Sequence, residues 1–446
     1  MTRLWMPCIP KCRNRSAFSK VICLLCWASR SPSTVGMGIK SGISGNTSIQ
    51  EHPIKIHYTM NTPFTAGRML GLLLLTVSFF ACQKDDEDLT IDYREVFENY
   101  AEIVHASYED SYRTVADLKT AIDDFVANPT AEGLESAKNL WLVARIPYGQ
   151  TEAYRFYGGP IDDENGPEGL INAWPIDENF IDYVDGNATA GLINDPVNYP
   201  TIDKATLADL NESISETSIY TGYHAIEFLL WGQDLSADGP GERPYTDYVT
   251  DGTGTADHQA RRAEYLQVVT DLLLDHLAEV RDEWADRAEY RTAFLATDDA
   301  VALGRIFTSL GELSKGELAG ERMFVAVDSK DQENEHSCFS DNTDTDIRMN
   351  LEGIENVYYG IYTRTGPAAD VIQGESLAQK AALVDATKAD AVDAAFQAAE
   401  TAVEAIPRPF DQAILNNETL ILNAVEALRE LSDRLTDMGF AMGAEF

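Results

Sequence analysis

His224 and Glu227 lie three residues apart within Ser218-Ile-Tyr-Thr-Gly-Tyr-His-Ala-Ile-Glu-Phe-Leu-Leu-Trp-Gly232. Side chains at that spacing on a helix are neighbours. An imidazole nitrogen and a carboxylate oxygen can therefore meet at one point, as metal ligands do. Helix-borne Glu-x-x-His pairs hold iron in ferritin-like bundles by the same logic. The same spacing also gives a plain hydrogen bond with no metal. Tyr223, Ile226, Leu229 and Leu230 mark the apolar side, and the whole stretch 218–232 is predicted as one helix.

Three other segments carry polar groups that need partners. In Trp141–Phe156, Arg145, Glu152 and Arg155 are hard to bury alone. Glu152 is the candidate for a third ligand, or for a group orienting His224; the alternative is an ordinary Arg–Glu helix network. In Leu313–Met323, Gly316, Ala319 and Gly320 allow close helix approach. Glu317 and Glu321, one turn apart, could complete an oxygen-rich site or pair with Lys315 and Arg322. The loop Glu335–Asp346 is rich in Ser, Asp and Asn, which helix capping alone also produces. Cys338 has no nearby basic group and is expected to be packed rather than nucleophilic. His105, His258, His276 and His336 are expected at the surface or at caps.

Several chemistries have no motif here. There is no Gly-rich phosphate loop, no nucleophile elbow and no His-Glu-x-x-His. A zinc peptidase needs three protein ligands, an open water position and a general base. Local spacing supplies two such ligands.

The motif Gly222-x-His224-x-x-Glu227 resembles the GxHxxE signature of the imelysin family, bacterial envelope proteins described as metallopeptidase-like or associated with iron uptake. Trp141–Phe156 resembles that family's first characteristic block. His336-Ser-Cys-Phe-Ser-Asp-Asn-Thr343 resembles its second signature, with Asp344 standing where iron-regulated members carry His. Asp can also bind a hard cation. The resemblance spans roughly residues 90–440. It implies an all-α fold of two helical-bundle domains with a site where the halves meet. It further implies a zinc or iron ion, divalent or ferric, on His224, Glu227 and Glu152, with Arg145, Glu317, Glu321, Arg322, Ser340 and Asp341 as ligand-binding groups. Three functions follow: binding of a metal ion or iron-linked small ligand for uptake, metal-dependent peptide hydrolysis, or a surface interaction protein with a vestigial site.

Charge narrows the partners. The 446-residue chain has a net charge of −39, from 34 basic and 73 acidic side chains. Residues 1–82 carry nine Lys and Arg against one acid, Glu51, so residues 83–446 hold a net of −47. Such a surface repels nucleic acid and anionic membranes and tolerates cations. Five of the six cysteines fall in the first 82 residues. The body keeps Cys338 alone, so it can form no internal disulfide.

Arg68-Met-Leu-Gly-Leu-Leu-Leu-Leu-Thr-Val-Ser-Phe-Phe-Ala-Cys82 reads as a lipoprotein signal peptide. A basic residue precedes an apolar run too short to remain as a spanning helix. Cleavage before Cys82 would leave its thiol for acylation and anchor the chain to a membrane, the outer membrane being expected, beside uptake partners there. Residues 60–82 are thus assigned to the signal and 83–92 to an acidic tether. Residues 1–59, which precede the signal, are read as a spurious or disordered extension.

The body is predicted as two helical domains, 93–290 and 291–446. Helical periodicity marks 93–128, a second helix from Thr130 toward Phe156, then 203–215, 216–232, 256–285, 298–327, 346–363, 376–405 and 410–440. No more than a trace of strand is expected. Turn-rich loops at 158–167, 182–199 and 232–244 interrupt them. Ile226–Gly232 also matches Ile354–Gly360 in three of seven positions, which suggests an internal repeat pairing Glu227 with Glu355 and His224 with Glu352.

Overall fold

Helix dominates because long apolar stripes recur at helical spacing with few β-branched alternations. The computed structural model describes residues 91–236, 239–366 and 370–446. The extension 1–59, the signal segment with Cys82 and most of the tether lie outside the described residues.

The helices run α1 Arg94–Ala127, α2 Ala131–Thr151, α3 Glu168–Ile171, α4 Lys204–Leu210, α5 Gly222–Trp231, α6 Gln259–Glu283, α7 Glu289–Leu295 and α8 Asp299–Glu312. A π-helix, Leu313–Phe324, continues α8 into α9 Val325–Ser329. Then come α10 Thr343–Tyr359, α11 Leu377–Val384, α12 Ala386–Glu404, α13 Phe410–Asn416 and α14 Glu418–Met442. The all-α expectation holds. Among the described residues the one sheet is an antiparallel pair, β1 Ile361–Thr363 and β2 Val371–Gln373. The described residues all fall within one compact unit, which contains both predicted segments 93–290 and 291–446.

Helix α1 buries Val96, Tyr100, Ile103 and Val104, as its periodicity requires, and packs on α2 and α6. Thr130 caps α2 by accepting from the Gly133 amide at 3.0 Å. Helix α2 tightens at its end into a single 3-10 turn, Glu152–Tyr154, so Glu152 sits where the chain is about to turn. Helix α10 lies against α2 at close range: a Cβ on Gly353 would fall 2.4 Å from the Gln150 carbonyl. The π-helix packs on α14 and α10.

Several predicted boundaries shift for identifiable reasons. Residues 218–232 are not one helix, because Gly222 takes a left-handed φ of 83° and α5 starts there. A side chain at 222 would also strike the Ile171 carbonyl, at 2.4 Å. Both demands select glycine. The expected helix 346–363 stops at Tyr359, where Gly360 turns left-handed and the chain enters β1. The run 376–405 breaks at Asp385, whose carboxylate caps α12 through the Thr387 and Lys388 amides. The run 410–440 breaks at Asn417. The glycines matched in the internal repeat, Gly232 and Gly360, both end helices with positive φ, so shared helix-termination chemistry accounts for that identity.

Candidate functional site

Helix α5 is buried along its whole length, so its polar residues must be satisfied inside the protein. His224 Nδ1 and Glu227 Oε2 are 2.9 Å apart, the contact the spacing predicts. The other oxygen, Glu227 Oε1, accepts from the Ser340 amide at 2.9 Å and its hydroxyl at 2.7 Å. Burial pushes the Glu227 carboxyl up to about 8 against those two bonds. Burial, with His336 and Arg145 nearby, pushes His224 well below the usual imidazole range. The second ring nitrogen of His224, Nε2, is buried and has no hydrogen-bond partner.

Beside that ring stands His336, at 4.6 Å between centroids and nearly perpendicular. Trp174 packs on His224 at 5.0 Å. His336 was expected at a surface or cap; it is instead 4 % exposed and repeats the arrangement of His224. Its Nδ1 lies 2.9 Å from Asp346 Oδ2. Asp346 also accepts from Ser337 Oγ at 2.5 Å, Arg145 Nε at 3.1 Å and Asn342 Nδ2 at 3.3 Å. Burial opposes its ionisation, but Arg145 and His336 hold it far below the ordinary carboxylate range. Asp346 is therefore charged and His336 donates to it from Nδ1. In each pair a carboxyl group faces one ring nitrogen and leaves the other toward the interior, the arrangement that orients metal-binding histidines.

Asn172 links this centre to a second cluster. Its Oδ1 accepts from Arg145 at 2.6 Å, and its Nδ2 lies 3.3 Å from Glu152 Oε1 and 3.4 Å from His336 Nε2. The Arg145 guanidinium is framed by the rings of Tyr223, Tyr148 and Trp141, the nearest centroid at 4.9 Å. Glu152 accepts from Arg322 and, at 3.1 Å, from Arg155. Arg322 also donates to Asn350 and, at 3.2 Å, to Glu317, while Arg155 reaches Glu168 at 3.0 Å. Burial works against the Glu152 charge, yet Arg322 and Arg155 bring its carboxyl down to about 2.

The predicted set is thus divided. His224, Glu227 and Ser340 meet directly, and Arg145 and Glu152 join them through Asn172 and the His336–Asp346 pair. Arg322 and Glu317 lie one step further, on the π-helix. Glu321 points outward and is exposed. Asp341 is half-buried and faces Asp411, Asp234 and Asp344. Asp344 is paired with Arg408 at 2.8 Å. Glu355, matched to Glu227 in the repeat, instead faces Glu400, and burial and that neighbour push it up to about 8. Among the described residues no three His, Cys, Asp or Glu side chains already converge as a metal would require, so His224, Glu227 and Glu152 are not assembled as a three-ligand set. Glu152 is taken up by two guanidiniums.

Sequence reasoning missed His336 as a site residue, and with it Asp346, Asn172 and Trp174. The one available signal was the position of His336 at the head of the 336–343 signature. Its partner lies ten residues on, across the start of α10, where helical spacing gives no guidance.

The imelysin (peptidase M75) family model matches residues 104–435. The chain belongs to the imelysin family. It is 25 % identical over 377 residues to iron-regulated protein A of Synechococcus elongatus, covering 82 % of this chain and 90 % of that protein. Its fold is that of a crystal structure described as an iron-regulated protein A precursor from Parabacteroides distasonis, with a TM-score of 0.57, 18 % identity, and coverage of 77 % of this chain and 95 % of that one. Among the described residues of this imelysin-family chain, no helix is long and apolar enough to cross a membrane.

Proposed function

We propose that this protein is a cell-envelope lipoprotein that binds iron, as the ion or within a small ligand, at the buried centre around His224 and serves iron uptake. One observation carries the reading. A ring nitrogen sits fully buried without a partner, beside a second histidine, with a carboxyl group behind each ring. Leaving such a nitrogen unpaired costs roughly 1–3 kcal/mol, a cost relieved when a ligand arrives. On this reading His224 and His336 are the donors toward iron. Glu227 and Asp346 orient them, which moves Glu227 from the ligand role its spacing suggests to a positioning role. The relative in Synechococcus elongatus is described as iron-regulated, which fits the same assignment.

Peptide hydrolysis fits less well. A catalytic metal needs three protein donors and an open position, and Glu152, the third candidate, is neutralised by Arg322 and Arg155.

The test is metal analysis by mass spectrometry on protein purified from its native envelope, and again after loading with ferrous, ferric or zinc ions. Loss of bound metal in His224→Ala and in His336→Ala is expected. Metal retained in both variants sinks the assignment. Intact mass showing a diacylated or triacylated N-terminal cysteine at position 82 would support the anchor; an unmodified longer chain would overturn it.

A further inference from the structure

The paired centre is closed to solvent on the sides that bond to it. Arg145, Asn172, Glu227 and Asp346, which contact or face the two imidazoles, are each at most 4 % exposed. Among the described residues that bond to or stack on His224 and His336, Trp174 alone is half-buried. Its indole packs on His224 at 5.0 Å, on His336 at 6.4 Å and on Phe339 at 6.0 Å. One side of the site is therefore covered by a ring that itself reaches water.

The stretch that carries this ring is fixed at its ends and loose between them. On one side Asn172 is held by Arg145 at 2.6 Å and by Glu152 at 3.3 Å. Just before it, the Ile171 carbonyl lies against Gly222, where a Cβ would come within 2.4 Å. On the other side the Asp177 amide donates to the Thr217 carbonyl at 2.8 Å. Between these anchors, among the described residues, the amides of Ala173, Trp174 and Ile176 and the indole N–H find no protein acceptor, and Pro175 has no amide to donate. A segment held by side-chain packing alone opens at lower cost than one held in a hydrogen-bonded ladder. Beneath it, His224 Nε2 is buried and unpartnered.

We propose that Trp174 gates the buried centre: the strap 173–176 swings outward to let a metal ion reach His224 and His336, and the indole closes behind it. This deepens the iron-binding reading and rests on it for the identity of the ion. A closed indole keeps water from competing with the imidazoles for the ion, and a swing of this short strap admits the ion without unpacking α5. Such a gate enters the rates of binding and release equally. It sets the speed of exchange and leaves the affinity nearly unchanged.

The first test reads access without any metal. The full chain is treated with diethyl pyrocarbonate, which modifies reachable imidazole nitrogens, and His224 and His336 are followed by peptide mass spectrometry. In Trp174→Ala both should label at least about tenfold faster than in the parent. Trp174→Phe, which keeps a ring, should label near the parent rate. His258, at the start of α6, should label alike in all of them, as a check that the chain stays folded. If Trp174→Ala melts well below the parent, Trp174→Leu, which preserves the apolar contact but not the reach of the indole, carries the same comparison. With ferrous iron, Trp174→Ala should bind and release about tenfold faster, release being read by capture with ferrozine, at a dissociation constant within about threefold of the parent. Faster labelling with no bound iron would uphold the gate and sink the iron reading. Unchanged labelling of both histidines in Trp174→Ala, or release accelerated only through weaker binding, overturns the gate.

Discussion

Two regions of this protein place the same kinds of acidic side chain under opposite electrostatic rules. Around Arg145, Arg155 and Arg322, the carboxylates of Asp346 and Glu152 are met by guanidinium or amide donors, and both stay charged though wholly buried. Around Asp411, acids face acids, none of Asp234, Glu333, Glu335 and Asp341 makes an ion pair among the described residues, and burial and these neighbours raise their pKa values. The difference shows what fixes ionisation in a protein interior: the partner, more than the depth of burial. In the first region every carboxylate oxygen has a donor. The second has oxygens to spare.

The sharpest way to break the contrast is to make the first region resemble the second. Arg145→Met leaves Asp346 buried with its main counter-charge removed. A loss of about 3–5 kcal/mol of unfolding free energy is expected in urea titration; a loss under about 1 kcal/mol would mean that Asp346 does not depend on its arginine.

Acid should separate the regions by sign. The Glu152 carboxyl is depressed from 4.5 to about 2. Its contribution, about 3 kcal/mol, is present above pH 4.5 and is lost as pH falls toward 2. Glu333 and Asp341 are raised to about 7, so in cation-free buffer their effect runs the other way: stability present below pH 4 falls as pH rises through 7. Comparing Glu152→Gln and Asp341→Asn with the parent across pH 2–8 reads both slopes, and slopes of the same sign would dissolve the comparison.

Glu227→Gln tests a subtler point. The amide oxygen can still accept from Ser340, but its NH2 can only donate to His224 Nδ1; unlike the carboxyl group it cannot give up that proton, let Nδ1 donate instead and free Nε2 for a metal. Iron binding should weaken by about 10- to 100-fold, as for other groups that orient metal-bound histidines, with little change in melting temperature. Unchanged binding would remove Glu227 from the site. The smallest effect belongs to Ser340→Ala. Its backbone amide keeps one bond to Glu227, so a loss of about 1 kcal/mol is expected, and a null result would assign that contact to the backbone alone.

Much of the fold was legible in the sequence because it rests on local rules. Helix after helix follows from apolar spacing; the predicted helix 203–215 ends early, at Leu210, and other boundaries moved at Gly222, Gly360, Asp385 and Asn417, where one residue's backbone or cap outweighs the periodic pattern. The His224–Glu227 contact was legible too, since three residues of helix place both groups on adjacent turns. Its glycine was read as part of a motif; only the packing of α5 against the Ile171 carbonyl explains why nothing larger fits.

What tertiary structure alone decided is the company those two residues keep. Ser340, His336, Asp346 and Asn172 arrive from segments with no local spacing to His224, and Glu152 is drawn to Arg322, 170 residues away, not to the imidazole. A sequence records which side chains can ionise. Which of them meet, and so which keep their charge, depends on distances set only when distant segments pack together.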